Sequence, residues 1–276
     1  MENNTKGISL DLGNSVKKLN IETIPPYLLP IASLLVLALV FLASTGHSIS
    51  PIFAFVTIPV LALIYAYYKK QTRSALMEKL ALVIGGRYRE FGAIEEMNTE
   101  YFNIGRNREI SDVVSLTYKN YPADIFNFNC VVGSGKSSRS ITITAAKIRH
   151  GINLPHIFLA AHCDFFSGDI TDFNVPGQES MQVVRLEGDF NKYFDLYAAK
   201  EYEIETLQIF DPDTMADIID NAKKFSLEFL DGNIYIYAQR AIENGEDMYS
   251  LYNLIDLLIT KLIPELERIK ITQIPV

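Results

Sequence analysis

The chain has 276 residues and a formal net charge of −8, and 49% of its residues are apolar. The acidic excess lies in residues 71–276, and an acidic surface is repelled by phosphate backbones, which argues against non-specific nucleic-acid binding. Cys130 and Cys163 lack the paired spacing of a zinc site and cannot form a disulfide framework. The mean hydropathy is positive despite 21% charged residues, so apolar residues should be concentrated in part of the chain.

The apolar residues are concentrated in two uncharged runs near the N-terminus. Residues 24–44 and 51–68 would form helices of about 31 and 27 Å, enough for a hydrocarbon core of about 30 Å. A secretory signal peptide would have a shorter apolar core followed by a small-residue cleavage site, and buried core helices rarely run this long without a charge. We therefore predict a transmembrane helical hairpin that follows a flexible cytoplasmic tail at residues 1–23.

Basic residues flank this predicted hairpin, and its connecting loop has none. Lys17 and Lys18 precede the first span, and Lys69 and Lys70 follow the second. Because cytoplasmic flanks of membrane helices are enriched in Lys and Arg, we predict that both termini are cytoplasmic. Helical spacing of apolar residues continues through a juxtamembrane linker at 69–86, after which residues 87–276 would form a cytosolic domain.

Alternation of apolar and polar residues predicts the strands of this domain. Residues 125–130 and 141–145 alternate regularly. The Asp-Gly dipeptide at 231–232 separates two alternating runs, 225–230 and 234–238, and is a strong hairpin signal. Weaker runs give further strand candidates at 113–118, 157–161 and 181–186.

Two helices are predicted in the second half of the chain. Asp211, followed by proline, is a suitable N-cap for the first. A broad apolar face between about 247 and 269 predicts the second, with a kink at Pro264. Glu203 and Glu205 alternate with less polar residues, which we interpret as a solvated strand. Antiparallel hairpins with packed helices give an α+β fold class.

The segment GSGKSS, residues 133–138, resembles the end of a phosphate-binding P-loop. The full pattern requires a glycine where Cys130 stands and a helix after the Lys-Ser pair. Residues 139–147 alternate as a strand instead, so we interpret GSGKSS as a hairpin turn and predict no bound nucleotide. Contact of Lys136 and Arg139 with an anion or a lipid head group is one functional alternative.

His156, His162 and Asp164 form the densest group of potential metal or catalytic ligands. The two histidines are six residues apart, so they would face the same side of a strand. Their spacing matches no standard metal motif, and no nucleophile elbow accompanies them. A hydrolase or metal-dependent enzyme at these residues is a second alternative, but we predict neither a cofactor nor a metal.

Five segments occur in an order that resembles a family of uncharacterised bacterial proteins. They are IFNFNCVVGSGKSSRSITITAAKI, LPHIFLAAH, LEGDFNKYFDLYA, IFDPDTMADIID and LDGNIYIYA, and the resemblance covers roughly residues 110–260. It implies a short membrane hairpin followed by a cytosolic domain of unknown function. It supports the interpretation of GSGKS as a hairpin turn, and it implies no activity, cofactor or catalytic residue.

These features favour a membrane-anchored binding module over an enzyme. The motivating observations are the predicted anchor, the acidic α+β domain and the lack of an assembled catalytic motif in the sequence. Besides the lipid bilayer, the expected partner is another protein or a second copy of the chain. The predicted location is the bacterial plasma membrane, as a multi-pass protein.

Overall fold

The computed structural model describes residues 13–19, 51–162 and 180–268, without the side chains of residues 51–58, 60 and 136. In these residues nine strands form one sheet in the order β1-β2-β3-β4-β9-β8-β5-β7-β6, and each neighbouring pair is antiparallel. The strands are β1 Arg87–Gly92, β2 Arg106–Tyr118, β3 Tyr121–Val132, β4 Arg139–Arg149, β5 Ile157–Ala161, β6 Gln182–Val184, β7 Phe194–Ala198, β8 Phe225–Leu230 and β9 Asn233–Ala238.

Two hairpins that the sequence predicts are confirmed. β3 and β4 pair in register from Ala123 opposite Ile148 to Val132 opposite Arg139, so GSGKSS connects two strands and a strand follows it. β8 and β9 pair around Asp231 and Gly232, which both have positive φ angles. Positive φ at both central residues is the geometry that a two-residue hairpin turn requires.

Helices cover one face of the sheet. They are α1 Pro51–Ile84, α2 Glu203–Ile209, α3 Pro212–Ala222, α4 Gly245–Leu257 and α5 Ile263–Arg268, and a π-helical turn at Leu258–Leu262 joins the last two. The carboxylate of Asp211 accepts a hydrogen bond from the Thr214 backbone N–H at 2.7 Å, which confirms the predicted start of α3. The N-terminal residues 13–19 also contact α4, since Val16 is fully buried and Gly245 lies against their backbone.

The predicted solvated strand around Glu203 and Glu205 is wrong, because these residues begin α2. The Thr206 hydroxyl donates to the Tyr202 carbonyl one helical turn earlier. Thr206 and Ile209 are buried at helical spacing, whereas Ile204 is exposed. Packing of one helical face therefore decides the structure of this segment, and its local alternation does not.

Alternate residues of the central strands lie in two separate cores. On the helical face, Ile125 belongs to the same hydrophobic cluster as Leu76 and Leu80 of α1 and Leu251 of α4. On the opposite face the aromatic residues of β3 and β9 pack under residues 94–104, which we call the strap. The strap contains two short 3-10 turns, and its Tyr101 and Phe102 are buried against the sheet.

The prediction of a transmembrane hairpin is wrong for the part of the chain that is described. No helix within residues 13–19, 51–162 and 180–268 combines the length and the apolar character that a membrane span requires. The predicted span 24–44 lies outside the described residues, and the predicted span 51–68 is the beginning of α1. The fold class is corrected accordingly to a large nine-stranded antiparallel sheet with helices.

The course of α1 gives a physical reason for this correction. After Tyr68 the same helix continues through Lys69, Lys70 and Arg73, and it then packs on the sheet through Leu76 and Leu80. Its charged and buried turns therefore belong to the domain. The predicted multi-pass location in the bacterial plasma membrane, with both termini cytoplasmic, depended on two spans and is contradicted by the same finding.

Candidate functional site

His156 pairs with a buried carboxylate that the sequence analysis did not single out. Its Nε2 lies 2.7 Å from Oε1 of Glu228, a residue in the centre of β8. The Glu228 side chain is completely buried, whereas 27% of the His156 side chain is exposed. The pair thus connects the protein surface to the interior on the strap side of the sheet.

The other oxygen of Glu228 accepts hydrogen bonds from two hydroxyl groups. Thr99 of the strap donates at 2.7 Å, and Tyr237 of β9 also donates to it. Tyr101 stacks on Tyr237 with ring centroids 3.8 Å apart. Burial, followed by the nearby Glu228 carboxylate, raises the pKa of Tyr237 well above its ordinary value, so this phenol remains a hydrogen-bond donor.

His162 lies at the other end of β5 and has a different partner. Its Nε2 lies 2.6 Å from Oδ2 of Asp195 in β7, and the two side chains are 38% and 41% exposed. Six residues of extended chain separate the two histidines by about 20 Å. Asp164 lies outside the described residues. The structure therefore does not bring His156 and His162 together, and the described residues contain no group of His, Cys, Asp and Glu suited to a metal ion.

A histidine held by a buried carboxylate can act as the oriented base of a catalytic triad, provided that a nucleophile lies within reach. The hydroxyl groups in this network, those of Thr99 and Tyr237, donate to Glu228 and are themselves buried. Neither is therefore available as a nucleophile. The arrangement supplies hydrogen bonds to a buried carboxyl group and supports a structural role for His156.

Lys147 extends the buried polar groups beneath the strap. Its ammonium group donates to the Glu96 carbonyl at 2.7 Å and lies 5.5 Å from the centroid of the Tyr235 ring. The Tyr235 hydroxyl accepts from the backbone N–H of Asn98 at 3.3 Å. Burial lowers the pKa of Lys147 and raises the pKa of Tyr235 to about 12. These groups attach the strap to the sheet.

A cleft of about 740 Å³ opens on the helical side, between α1, the start of β4 and the segment that connects β9 to α4. Its charged lining residues are four basic ones, Lys69, Arg73, Arg139 and Arg240, and two acidic ones, Glu243 and Asp247. The excess of positive charge contrasts with the net charge of −8 for the whole chain. A concave site with low-dielectric walls concentrates the electric field of its charges, so an excess of positive charge there favours an anionic ligand over a cationic one.

The two acidic residues also form ion pairs with three of the basic ones. Oε1 of Glu243 lies 3.1 Å from the Lys69 ammonium and 3.9 Å from the Arg73 guanidinium. Asp247 contacts Arg240 at 3.6 Å and Lys224, outside the lining, at 2.8 Å. A guanidinium has five N–H donors in a planar fork, more than one carboxylate can accept, and this geometry suits carboxylate and phosphate ligands.

Neutral polar side chains also line the cleft. Ser140 and Thr142 line its β4 side, and Gln239 and Asn244 line its opposite side. The Thr142 hydroxyl donates to Asn129 at 2.8 Å. Hydroxyl and amide groups beside guanidinium groups are typical of sites for oxyanions, because they supply hydrogen bonds from several directions.

Arg139 is the lining residue that the sequence singled out as a candidate site residue. It begins β4 and lines the cleft, and its contact with an anion stays a prediction. Nothing is described of the Lys136 side chain. Lys69, Arg73 and Arg240 were missed as members of the site. The sequence marks Lys69 and Arg73 only as basic residues that follow the apolar run, and Arg240 only as a basic residue that follows β9.

Comparison with protein-family models and with curated proteins gives no match. Among solved structures, the chain is similar to the crystal structure of the mycobacterial trehalose monomycolate transport factor A, TtfA, with a TM-score of 0.46 and 10% sequence identity. The match covers 69% of this chain and 94% of that chain. At this score and identity the likeness decides neither the fold nor the function of this chain. The resemblance to the bacterial family stays a prediction.

Proposed function

We propose that the protein is a binding module that holds an anionic group in the basic cleft between α1 and β4. The observation that carries this proposal is the convergence of Lys69, Arg73, Arg139 and Arg240 on one concave site of an otherwise acidic chain. These residues come from three separate parts of the sequence. The lining has two more basic than acidic residues, and a bound anion would offset this excess of positive charge.

The partner expected from the sequence, another protein or a second copy of the chain, is compatible with this site if it presents carboxylate or phosphate groups. A hydrolase or metal-dependent enzyme at His156, His162 and Asp164 has less support, because His156 and His162 contact different carboxylates at opposite ends of β5. We therefore assign the binding function to the cleft and not to the histidines.

Calorimetric titration of the full chain with pyrophosphate tests the proposal. Pyrophosphate should bind at low ionic strength, and its affinity should fall as salt is added because the interaction is between charges. Arg73→Gln should weaken binding by about tenfold, the equivalent of one charge-assisted hydrogen bond.

Lys79→Gln is the matched control, since it removes one positive charge from an exposed position of the same helix outside the cleft. This variant should bind pyrophosphate as the unmodified chain does. Absence of binding at low salt would overturn the proposal. Equal weakening by both variants would show a response to net charge, and that result would also overturn it.

A further inference from the structure

We infer that the ligand of the basic cleft is an amphiphile with an anionic head and an alkyl chain, an inference that rests on the proposed function. The cleft does not end at its charged residues. Ala66 also lines it, and Ala66, Lys69 and Arg73 lie on one face of α1 because they are spaced by three and four residues. The same face continues toward the N-terminus of the helix as an uncharged surface.

This surface is formed by Pro59, Ala62 and Leu63, and all three are exposed. They precede Ala66 by seven, four and three residues, which keeps them on the cleft side of the helix. At 1.5 Å per residue the track from Ala66 to Pro59 is about 10 Å long. We call these four residues the apolar track. Leu63 is 71% exposed, and the neighbouring Ile64, Tyr65 and Tyr67 of the same helix are exposed as well.

Charge complementarity and the chemistry of the track decide among ligand classes. The basic residues lie at one end of the track, and the sequence from Pro59 to Tyr68 has no charge along it. A ligand that fits both parts has its anionic group at one end and an apolar chain at the other. The backbone of a helix is hydrogen-bonded internally, so the track offers no main-chain partners to an extended peptide.

Titration of the full chain with a series of alkyl phosphates tests this inference. Ethyl, butyl and octyl phosphate, each below its micellar concentration, share one head group and differ in chain length. The affinity should increase along the series by up to about fourfold for each methylene that becomes buried. Pyrophosphate has no alkyl chain, so its affinity measures binding at the basic residues alone.

Leu63→Ser should weaken octyl phosphate binding by about threefold to tenfold. The same variant should leave pyrophosphate binding unchanged. Tyr65→Ser is the matched control: Tyr65 is also exposed, but two residues of helix turn it about 160° away from Leu63. Both side chains are on the surface, so neither substitution removes a core contact, and circular dichroism checks that both variants fold.

The outcomes separate this inference from the proposed function. If pyrophosphate binds but the affinity for alkyl phosphates does not depend on chain length, the inference is overturned and the proposed function stands. If neither pyrophosphate nor any alkyl phosphate binds, the proposed function fails. If Leu63→Ser and Tyr65→Ser weaken octyl phosphate binding equally, the alkyl chain adsorbs on the whole helix and the apolar track is not its site.

Discussion

The imidazole Nε2 of His156 lies 2.7 Å from Oε1 of the fully buried Glu228. The same carboxylate accepts from Thr99 of the strap and from Tyr237 of β9. One acidic residue of β8 therefore connects the start of β5, strand β9 and the segment that covers this face of the sheet. A buried carboxylate is tolerated when hydrogen bonds replace its lost hydration, so these three contacts should contribute to stability.

Thr99→Val should lower the free energy of unfolding by about 1–3 kcal/mol, because it removes a donor from a buried carboxylate at nearly constant volume. The substitution also removes the acceptor for the Tyr101 backbone N–H, which lies 3.0 Å from the Thr99 hydroxyl. Urea denaturation followed by circular dichroism measures the change. Thr117→Val, at an exposed position of β2, is the control and should change stability by less than about 0.5 kcal/mol. Equal effects would show that the Glu228 network does not stabilise the strap.

Stability should fall as the pH decreases from 7 to 5, and His150 should account for about 2 kcal/mol of that loss. Burial lowers the pKa of His150 to about 4, whereas an unfolded histidine titrates near pH 6.5. The unfolded chain therefore takes up the proton first. The contribution of His150 is complete above about pH 6.5 and is lost as the pH falls toward 4.

His150→Asn tests this pH dependence. The Nδ1 atom of His150 accepts from the Ile152 backbone N–H at 3.1 Å, and an asparagine oxygen can take the same role. Denaturant titrations of both proteins at pH 7 and pH 5 should show a smaller loss of stability for the variant. The same pH dependence in both proteins would assign the loss to other groups.

Local patterns predicted the strands well where each face of a strand meets a packed layer. β5 and β8 begin and end at the predicted residues, 157–161 and 225–230. β1 and β7 were missed. β1 is an exposed edge strand with three charged residues among its six, so it has little apolar alternation to detect.

The candidate sites depend on contacts between distant parts of the chain, which no local pattern contains. Glu228 is separated from His156 by 72 residues, and in the run FSLEFL it has the alternating position of a solvent-facing residue. It is buried because the strap, which has no regular periodicity, covers this face. Likewise, the GSGKSS turn suggested an anion contact at Arg139, but its proximity to Lys69 and Arg73 follows from the packing of α1 on the sheet.

The two glycines of the GSGKSS turn should differ in how much their substitution by alanine destabilises the protein. Gly133→Ala should destabilise the protein by more than the 1–2 kcal/mol that a left-handed backbone costs a non-glycine residue. Gly133 has φ +77°, and a Cβ atom there would lie 2.5 Å from the Ser137 carbonyl oxygen. Gly135 has φ +57°, but a Cβ atom there would have no neighbour within 4 Å among the described atoms.

Gly135→Ala is therefore the control for the steric contribution, because both variants pay the conformational cost and only Gly133→Ala adds the clash. Thermal unfolding of the two variants should rank Gly133→Ala as the less stable. A turn of this kind has a structural role, so pyrophosphate binding should be retained wherever the variant is folded. Equal stability of the two variants would contradict the described backbone of the turn.

Glu243→Gln should strengthen pyrophosphate binding, in contrast to Arg73→Gln. Glu243 lies 3.1 Å from Lys69 and 3.9 Å from Arg73, so its charge reduces the positive potential of the cleft and competes for the same donors. Removing this charge should increase the affinity by about twofold to fivefold at low salt, equivalent to about 0.5–1 kcal/mol, and by less at high salt. Glu78→Gln removes the same charge from an exposed position of α1 outside the cleft and should leave the affinity unchanged. Calorimetry of both variants separates the two effects: an equal gain would reflect the net charge of the protein, and a gain for Glu243→Gln alone would locate the anion beside Lys69 and Arg73.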